Sequence, residues 1–172
     1  FEVSNSYHIN LSHTKLILDK GNTSEYTIVL SQQPESTILI SVDNSNDNLY
    51  IFHELLDYNE TPICSFDQDN WNIPQRILVR SLNKDTITGN QTITINHTIV
   101  SEFEPYNSYE IDNIEVEINE TNTPNIELST TEITLNPNVE KTYIMKLKTI
   151  PDQDITITLT VPEEIETNTN QI

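Results

Sequence analysis

Apolar and polar residues alternate along most of this chain with a period of two. This alternation is typical of half-buried β-strands, whereas amphipathic helices repeat about every 3.6 residues. The apolar positions form six runs: Tyr7, Ile9 and Leu11; Tyr26, Ile28 and Leu30; Ile38, Ile40 and Val42; Ile77 and Val79; Ile93, Ile95, His97 and Ile99; and Ile114, Val116 and Ile118. Turn-forming stretches such as "DKGN" (19–22) separate them. The pattern predicts an all-β chain of antiparallel β-sandwich type, and only "HELLDYN" (53–59) indicates a helical turn.

The C-terminal third repeats the beginning of the chain. Residues 9–42 align with residues 126–159 without a gap at an offset of 117, and ten positions are identical. Each alternating apolar position named above between Ile9 and Val42 meets an apolar residue in the second copy. We therefore predict one complete module over residues 1–123 and the first half of a second over residues 124–172, joined through "NETNTPN" (119–125).

Half a sandwich leaves its apolar face and strand edges uncovered, so the second copy needs a completing segment. One alternative is further chain of the same polypeptide; the other is a strand donated by a neighbouring subunit. The absence of an initial methionine also indicates a piece of a longer or processed protein. The expected partners are neighbouring repeats of the same or identical chains.

Three segments resemble the Calx-β-like and related immunoglobulin-like repeats of large surface proteins. They are "SEYTIVLSQQPESTILISV" (24–42), "FDQDNWNIPQRILV" (66–79) and "YEIDNIEVEINETNTPNI" (109–126). The resemblance covers nearly all of the first module and the matching part of the second. It implies tandem immunoglobulin-like sandwiches of seven or eight strands, which act as spacers and contact modules in adhesins, matrix proteins and surface filaments. Trp71 lies in the most distinctive segment, and we expect its ring to cover one end of the core rather than to bind a sugar or partner.

The charge balance limits the partners. Eight Lys and Arg oppose 27 Asp and Glu, which gives a net charge of −19. Such a surface repels nucleic-acid phosphates and anionic lipid headgroups, so we expect no nucleic-acid binding. The sequence also lacks a run of about 20 apolar residues, so we expect no membrane insertion in this segment.

The residue types that carry catalysis are sparse. Cys64 is the only cysteine and has apolar neighbours, which indicates a small buried side chain rather than a reactive thiol. The four histidines, His8, His13, His53 and His97, lack metal-ligand spacing. Two isolated glycines cannot build a phosphate-binding loop, and no nucleophile motif is present. We therefore expect no enzymatic activity, no catalytic or metal-binding residues and no cofactor.

Calcium is retained as an alternative at two places. "DNSNDN" (43–48) offers oxygen ligands at Asp43, Ser45 and Asp47, but it lacks the glycine and distal glutamate of a calcium loop, so a solvated loop is preferred. A cation bound by Glu115, Glu117 and Glu120 would stiffen the junction with the next module. With only Gly21 and Gly89 in the chain, asparagine and aspartate are expected to adopt positive φ in other turns.

Six asparagines begin N-x-S/T sequons without proline, which predicts N-linked glycosylation: Asn10, Asn22, Asn59, Asn90, Asn96 and Asn119. These sequons favour an extracellular or cell-surface location. We expect a structural or adhesive repeat segment of a glycoprotein filament, coat or stalk. The alternatives are a calcium-dependent adhesion module and an intracellular, for instance ciliary, scaffold of similar domains.

Overall fold

A computed structural model describes residues 6–54 and 61–168, so Asn59 and most of the expected helical turn at 53–59 lie outside the described residues. In the described part, the regular structure consists of eleven strands and one four-residue helix. Its strands are β1 Ile9–Leu11, β2 Lys15–Asp19, β3 Thr23–Leu30, β4 Ile38–Asp43, β5 Leu49–His53, β6 Ile63–Phe66, β7 Gln75–Ser81, β8 Gln91–Ser101, β9 Ile114–Asn119, β10 Ile126–Leu128 and β11 Met145–Leu147. The all-β prediction is confirmed.

Strands β1 to β9 form two sheets, consistent with a β-sandwich. The four-stranded sheet has the order β1, β3, β7, β5, and the five-stranded sheet has the order β2, β9, β8, β4, β6. The ladder between β2 and β9 is parallel, with Lys15 opposite Glu115, whereas the other ladders of the two sheets are antiparallel. The prediction of an antiparallel sandwich was therefore wrong at this one ladder. The alternation of apolar and polar residues looks the same in parallel and antiparallel strands. It therefore does not show whether two strands far apart in the sequence, such as β2 and β9, run in the same direction.

The core contains the alternate residues that the sequence pattern selected. Both sheets contribute to one buried cluster, which includes Ile28 and Ile77 from the first sheet and Ile40, Ile95 and Val116 from the second. The outward residues between them are mostly polar and exposed, as the eBeBe pattern of β2 illustrates.

A short helix, α1 (Glu104–Asn107), was not predicted. It places Tyr106 in the core, where the hydroxyl donates to the Gln32 carbonyl oxygen at 2.8 Å and accepts from the Gln32 N–H at 3.0 Å. The ring of Tyr7 packs edge-on against Tyr106 at 5.2 Å and against Phe103 at 5.3 Å. These aromatic rings cover part of the core beside α1.

Trp71 lies in the turn between β6 and β7 and packs half-buried against the core, as expected for a lid. The backbone N–H of Trp71 donates to the Asp67 carbonyl at 3.2 Å, and the backbone carbonyl of Trp71 accepts from the Leu30 N–H at 3.1 Å. The Asp67 carboxylate accepts from the N–H groups of Asp69 and Asn70. The asparagines and aspartates around Trp71 therefore shape the turn that holds the ring.

Candidate functional site

The second copy repeats the geometry of one ladder of the first. In the β1–β3 pair, Ile9 is opposite Leu30 and Leu11 is opposite Ile28. In the β10–β11 pair, Ile126 is opposite Leu147 and Leu128 is opposite Met145. Each partner in the second pair lies 117 residues after its counterpart, so the two registers are the same.

The hydrogen bonds around this ladder are repeated as well. Ser12 Oγ accepts from Thr27 N–H at 2.9 Å, and its counterpart Ser129 Oγ accepts from Ile144 N–H at 2.8 Å. The turn after β2 has Gly21 at φ 87°, and the corresponding position has Asn138 at φ 61°. The expectation that asparagine and aspartate adopt positive φ holds at this turn, because the short polar side chain of asparagine tolerates that region better than most side chains. Among the described residues, no other asparagine or aspartate has positive φ, so the general expectation was wrong.

The remaining ladders of the first copy explain what the second copy lacks. Strand β2 pairs with β9, and β4 pairs with β6 and β8. These partners follow residue 43, beyond the repeated segment. Among the described residues, the counterparts of β2 and β4 at 132–136 and 155–160 form no strand. A strand needs a partner for its backbone groups. Among the described residues of the second copy, the ladder that forms is the one whose two strands both lie within the repeat.

The uncovered apolar side chains follow from this. Ile38 is 0% exposed, whereas its counterpart Ile155 is 54% exposed. Ile133 and Leu135, the counterparts of buried Leu16 and Leu18, are also exposed. In the first module, the apolar residues of 9–42 form about half of the core. Their counterparts in residues 126–159 are partly uncovered. We call residues 126–159 the open half-repeat.

A buried ion pair lies where the first module ends. Lys20 Nζ is 3.0 Å from Glu120 Oε2, and the two side chains are 7% and 9% exposed. The Glu120 carboxylate also accepts from the N–H groups of Thr88 and Asn122, both at 2.8 Å. Burial alone would raise the pKa of Glu120, but these N–H donors and the Lys20 ammonium lower it to about 2.

The same contacts fix the start of the linker. Asn122 Nδ2 donates to the Lys84 carbonyl at 2.8 Å, and the Lys20 ammonium donates to the Thr86 carbonyl. Ile150 N–H donates to the Asp85 carbonyl at 2.9 Å, which connects the second copy to the same loop. We call Lys20, Glu120, Asn122 and the loop 84–88 the junction node. Sequence reasoning missed it because Lys20 and Glu120 are 100 residues apart and only the parallel β2–β9 register brings them together.

The proposed cation site at the three junction glutamates is corrected by these contacts. Glu115 and Glu117 project from β9 toward Lys15, whose Nζ is 3.0 Å from Glu115 Oε1 and also contacts Glu117. Glu120 is instead paired with Lys20. In the described ranges, no group of three or more histidine, cysteine, aspartate or glutamate side chains is placed to hold a metal ion.

The loop 43–48 is organised by its asparagines. Asn44 Oδ1 accepts from Asn46 N–H at 2.9 Å, and Asn46 Oδ1 accepts from Asn48 N–H at 2.8 Å. Lys84 Nζ donates to Asn48 Oδ1 at 2.8 Å. The loop is therefore shaped by asparagine side chains, backbone N–H groups and a contact from Lys84.

Five of the six sequon asparagines lie in the described residues. Asn10, Asn22, Asn90 and Asn96 are exposed, and Asn119 is half-buried. Asn10 is on the edge strand β1 and Asn96 is on β8, so the sites are spread over both sheets.

Three of these sequons surround the junction node. Asn90 Oδ1 accepts from Glu120 N–H at 2.9 Å, and Asn119 Nδ2 donates to Asp19 Oδ1 at 3.2 Å. Asn22 closes the adjacent turn by donating its N–H to the Asp19 carbonyl at 3.0 Å. A glycosylated amide keeps one N–H, so a sugar on Asn119 is compatible with its bond to Asp19.

Cys64 and His97 both occupy structural positions in the first module. Cys64 is fully buried, and burial raises the pKa of its thiol to about 12, so the thiolate is disfavoured at neutral pH. The prediction of a small buried side chain is confirmed. His97 is half-buried: Nδ1 is 3.0 Å from the Asp112 carbonyl, and Nε2 is 2.9 Å from the Tyr26 hydroxyl. Because the carbonyl can only accept, Nδ1 carries the proton and Nε2 accepts from Tyr26.

This arrangement predicts a loss of stability in mild acid. Burial lowers the pKa of His97 from its ordinary value of 6.5, against a smaller raising effect of the Asp112 carbonyl. The unfolded chain therefore binds the proton first, and the free energy of unfolding falls as the pH drops below about 6.5 until His97 is protonated in the folded state as well. Urea unfolding between pH 8 and pH 5 should show a smaller decrease for His97→Gln than for the wild type. Identical pH profiles would contradict the assignment.

No protein-family model matches this chain, and no curated protein matches it. Within the described residues, the structure contains no helix of the length and apolarity needed to cross a membrane.

Proposed function

We propose that this chain is a structural or adhesive segment of an extracellular glycoprotein built from tandem immunoglobulin-like β-sandwich modules, as in a filament, coat or surface stalk. The observation that carries the proposal is the shared register of the β1–β3 and β10–β11 ladders at an offset of 117 residues. A sequence unit that recurs with its strand pairing is typical of arrays in which each module contacts its neighbours.

The junction node supports a mechanical role. The linker leaves β9 at Asn119 and is held at Glu120 and Asn122 by hydrogen bonds to the first module. Ile150 of the second copy is bonded to the loop that contacts the linker. These contacts restrict bending between modules, and a net charge of −19 keeps neighbouring arrays apart in solution.

The sequons support an extracellular location. Four sequon asparagines are exposed on a folded module, and three of the six lie around the junction. Sugars there would hinder close approach of other chains to the linker and would add bulk where adjacent modules meet.

Glycosylation is tested on protein isolated from its native source. We expect the intact mass to fall after treatment with an N-glycosidase, because Asn22, Asn90 and Asn96 are accessible at the surface. In the native host, Thr98→Ala should remove one glycan while leaving Asn96 in place, and Thr94→Ala, on the same strand but outside any sequon, should leave the glycan mass unchanged. An unchanged mass of the native protein would reject the glycoprotein proposal and favour an intracellular scaffold.

A further inference from the structure

The open half-repeat lacks a defined set of contacts. In the first module, the apolar side chains of residues 9–42 are buried against residues that lie between Leu49 and Ile118. In the second copy the corresponding side chains, including Ile133, Leu135, Ile155 and Ile157, are exposed. The first module thus shows which kind of chain covers such a face: one that supplies the strands equivalent to β5 through β9.

We propose that the open half-repeat is an acceptor surface for a polypeptide segment built like residues 49–118, that is, the second half of a module of this type. The proposal rests on the tandem array proposed above and specifies what the array requires at this position. The incoming segment would pair in parallel with residues 132–136, as β9 pairs with β2, and in antiparallel with residues 155–160, as β6 and β8 pair with β4.

The second copy also specifies the charge of its partner. Lys15 faces Glu115 and Glu117 in the first module, but its counterpart is Glu132. A glutamate at the position of Glu115 would therefore lie directly opposite a like charge, which is destabilising, and a glutamate at the position of Glu117 would lie diagonally from the same charge. The fitting segment carries lysine or arginine at these positions. The second copy has Pro137 at the position of Lys20. Since proline carries no charge, the fitting segment needs no glutamate at the position of Glu120.

A second copy of this chain is a poor occupant. Its residues 49–118 are already packed against its own residues 9–42. The glutamates at 115 and 117 also have the wrong charge for Glu132.

The test extends the chain in cis. Residues 160–172 are replaced by a second copy of residues 43–123, either unchanged or with Glu115→Lys and Glu117→Lys in the appended copy. We expect hydrogen exchange at residues 132–136 and 155–159 to slow at least tenfold relative to the native chain. The lysine version should have the higher melting temperature for its second module. A control with Ile114→Asp and Val116→Asp in the appended copy should leave the exchange rates at native values.

Two results would overturn the acceptor proposal. The first is that hydrogen exchange at residues 132–136 and 155–159 is as fast in both the unchanged and the lysine chimera as in the native chain, while the first module remains protected. The other is slow exchange at these residues in the native chain together with a dimer in sedimentation velocity, which would identify a second copy as the occupant. Loss of protection at the β10–β11 ladder itself would instead contradict the tandem array, so failure of the two proposals is distinguishable.

Discussion

Replacing Glu120 by glutamine is expected to lower the free energy of unfolding of the first module by about 3 kcal/mol, because it leaves the Lys20 ammonium buried without a counter-charge. Glutamine keeps the shape of glutamate but replaces one carboxylate oxygen with an NH₂ group. Oε2 of Glu120 accepts from Lys20 and Thr88, and Oε1 accepts from Asn122. Whichever of the two oxygens the NH₂ group replaces, at least one of these hydrogen bonds is lost. The linker start at Asn119 to Asn122 should then exchange amide protons faster.

The pH dependence gives an independent check. Because Glu120 has a pKa of about 2 in the folded protein and an ordinary value of 4.5, its contribution is complete above pH 4.5 and decreases as the pH falls toward 2. Glu120→Gln should remove this part of the acid-induced loss of stability. Chemical denaturation between pH 2 and pH 7 measures both effects.

Two controls separate the ion pair from general damage. Glu117→Gln, at a solvent-accessible contact with Lys15, should change stability by less than about 1 kcal/mol. The double variant Lys20→Met with Glu120→Leu should recover much of the loss, because it removes both buried charges together. A cost for Glu120→Gln no larger than that for Glu117→Gln would show that the junction node does not stabilise the module.

The same substitution at two equivalent isoleucines should have very different effects. Ile38→Ala is expected to cost about 4 kcal/mol because it leaves a cavity beneath a fully buried side chain in β4. Ile155→Ala should change stability by less than about 0.5 kcal/mol because the side chain is 54% exposed and its segment has no ladder partner among the described residues. The two positions are identical in the repeat alignment, so sequence context alone does not separate them.

Urea unfolding followed by the fluorescence of Trp71 reports on the first module and measures the Ile38 variant. Amide exchange at residues 145–147 reports on the second copy and measures the Ile155 variant. In the extended chain with appended residues 43–123, Ile155→Ala should become as costly as Ile38→Ala. Equal costs in the native chain would mean that the second copy already has a completed core.

Much of the fold was predictable because strand burial has a simple period. Alternation identified inward residues such as Ile28, Ile40, Ile95 and Val116, each of which the structure buries. It did not predict α1, because four residues are too short to show a helical period, and Pro105 reads as a turn residue as well as a helix start. His97 lies in the inward register of its strand, but its bond to Tyr26 depends on which strands are stacked across the core.

The candidate site was predictable only in part. The sequons and the repeat are local or linear features, so the sequence sufficed to find Asn22, Asn90 and the offset of 117 residues. The alternative of a cation site at Glu115, Glu117 and Glu120 was wrong, because these glutamates are close in the sequence but pair with two different lysines. On β9 the first two side chains reach Lys15, while Glu120 lies beyond the strand and reaches Lys20.

The sequence by itself determined that the chain is built of strands, which face of each strand is apolar, and that residues 126–159 repeat the pattern of residues 9–42. These properties depend on residue order and on the two-residue period of extended backbone. Only the tertiary structure decided that β2 and β9 run parallel, that Lys20 and Glu120 share a buried site, and that the repeated ladder closes while its neighbouring strands stay open. Those outcomes depend on pairing between segments far apart in the chain, and a strand forms only where its backbone groups find a partner.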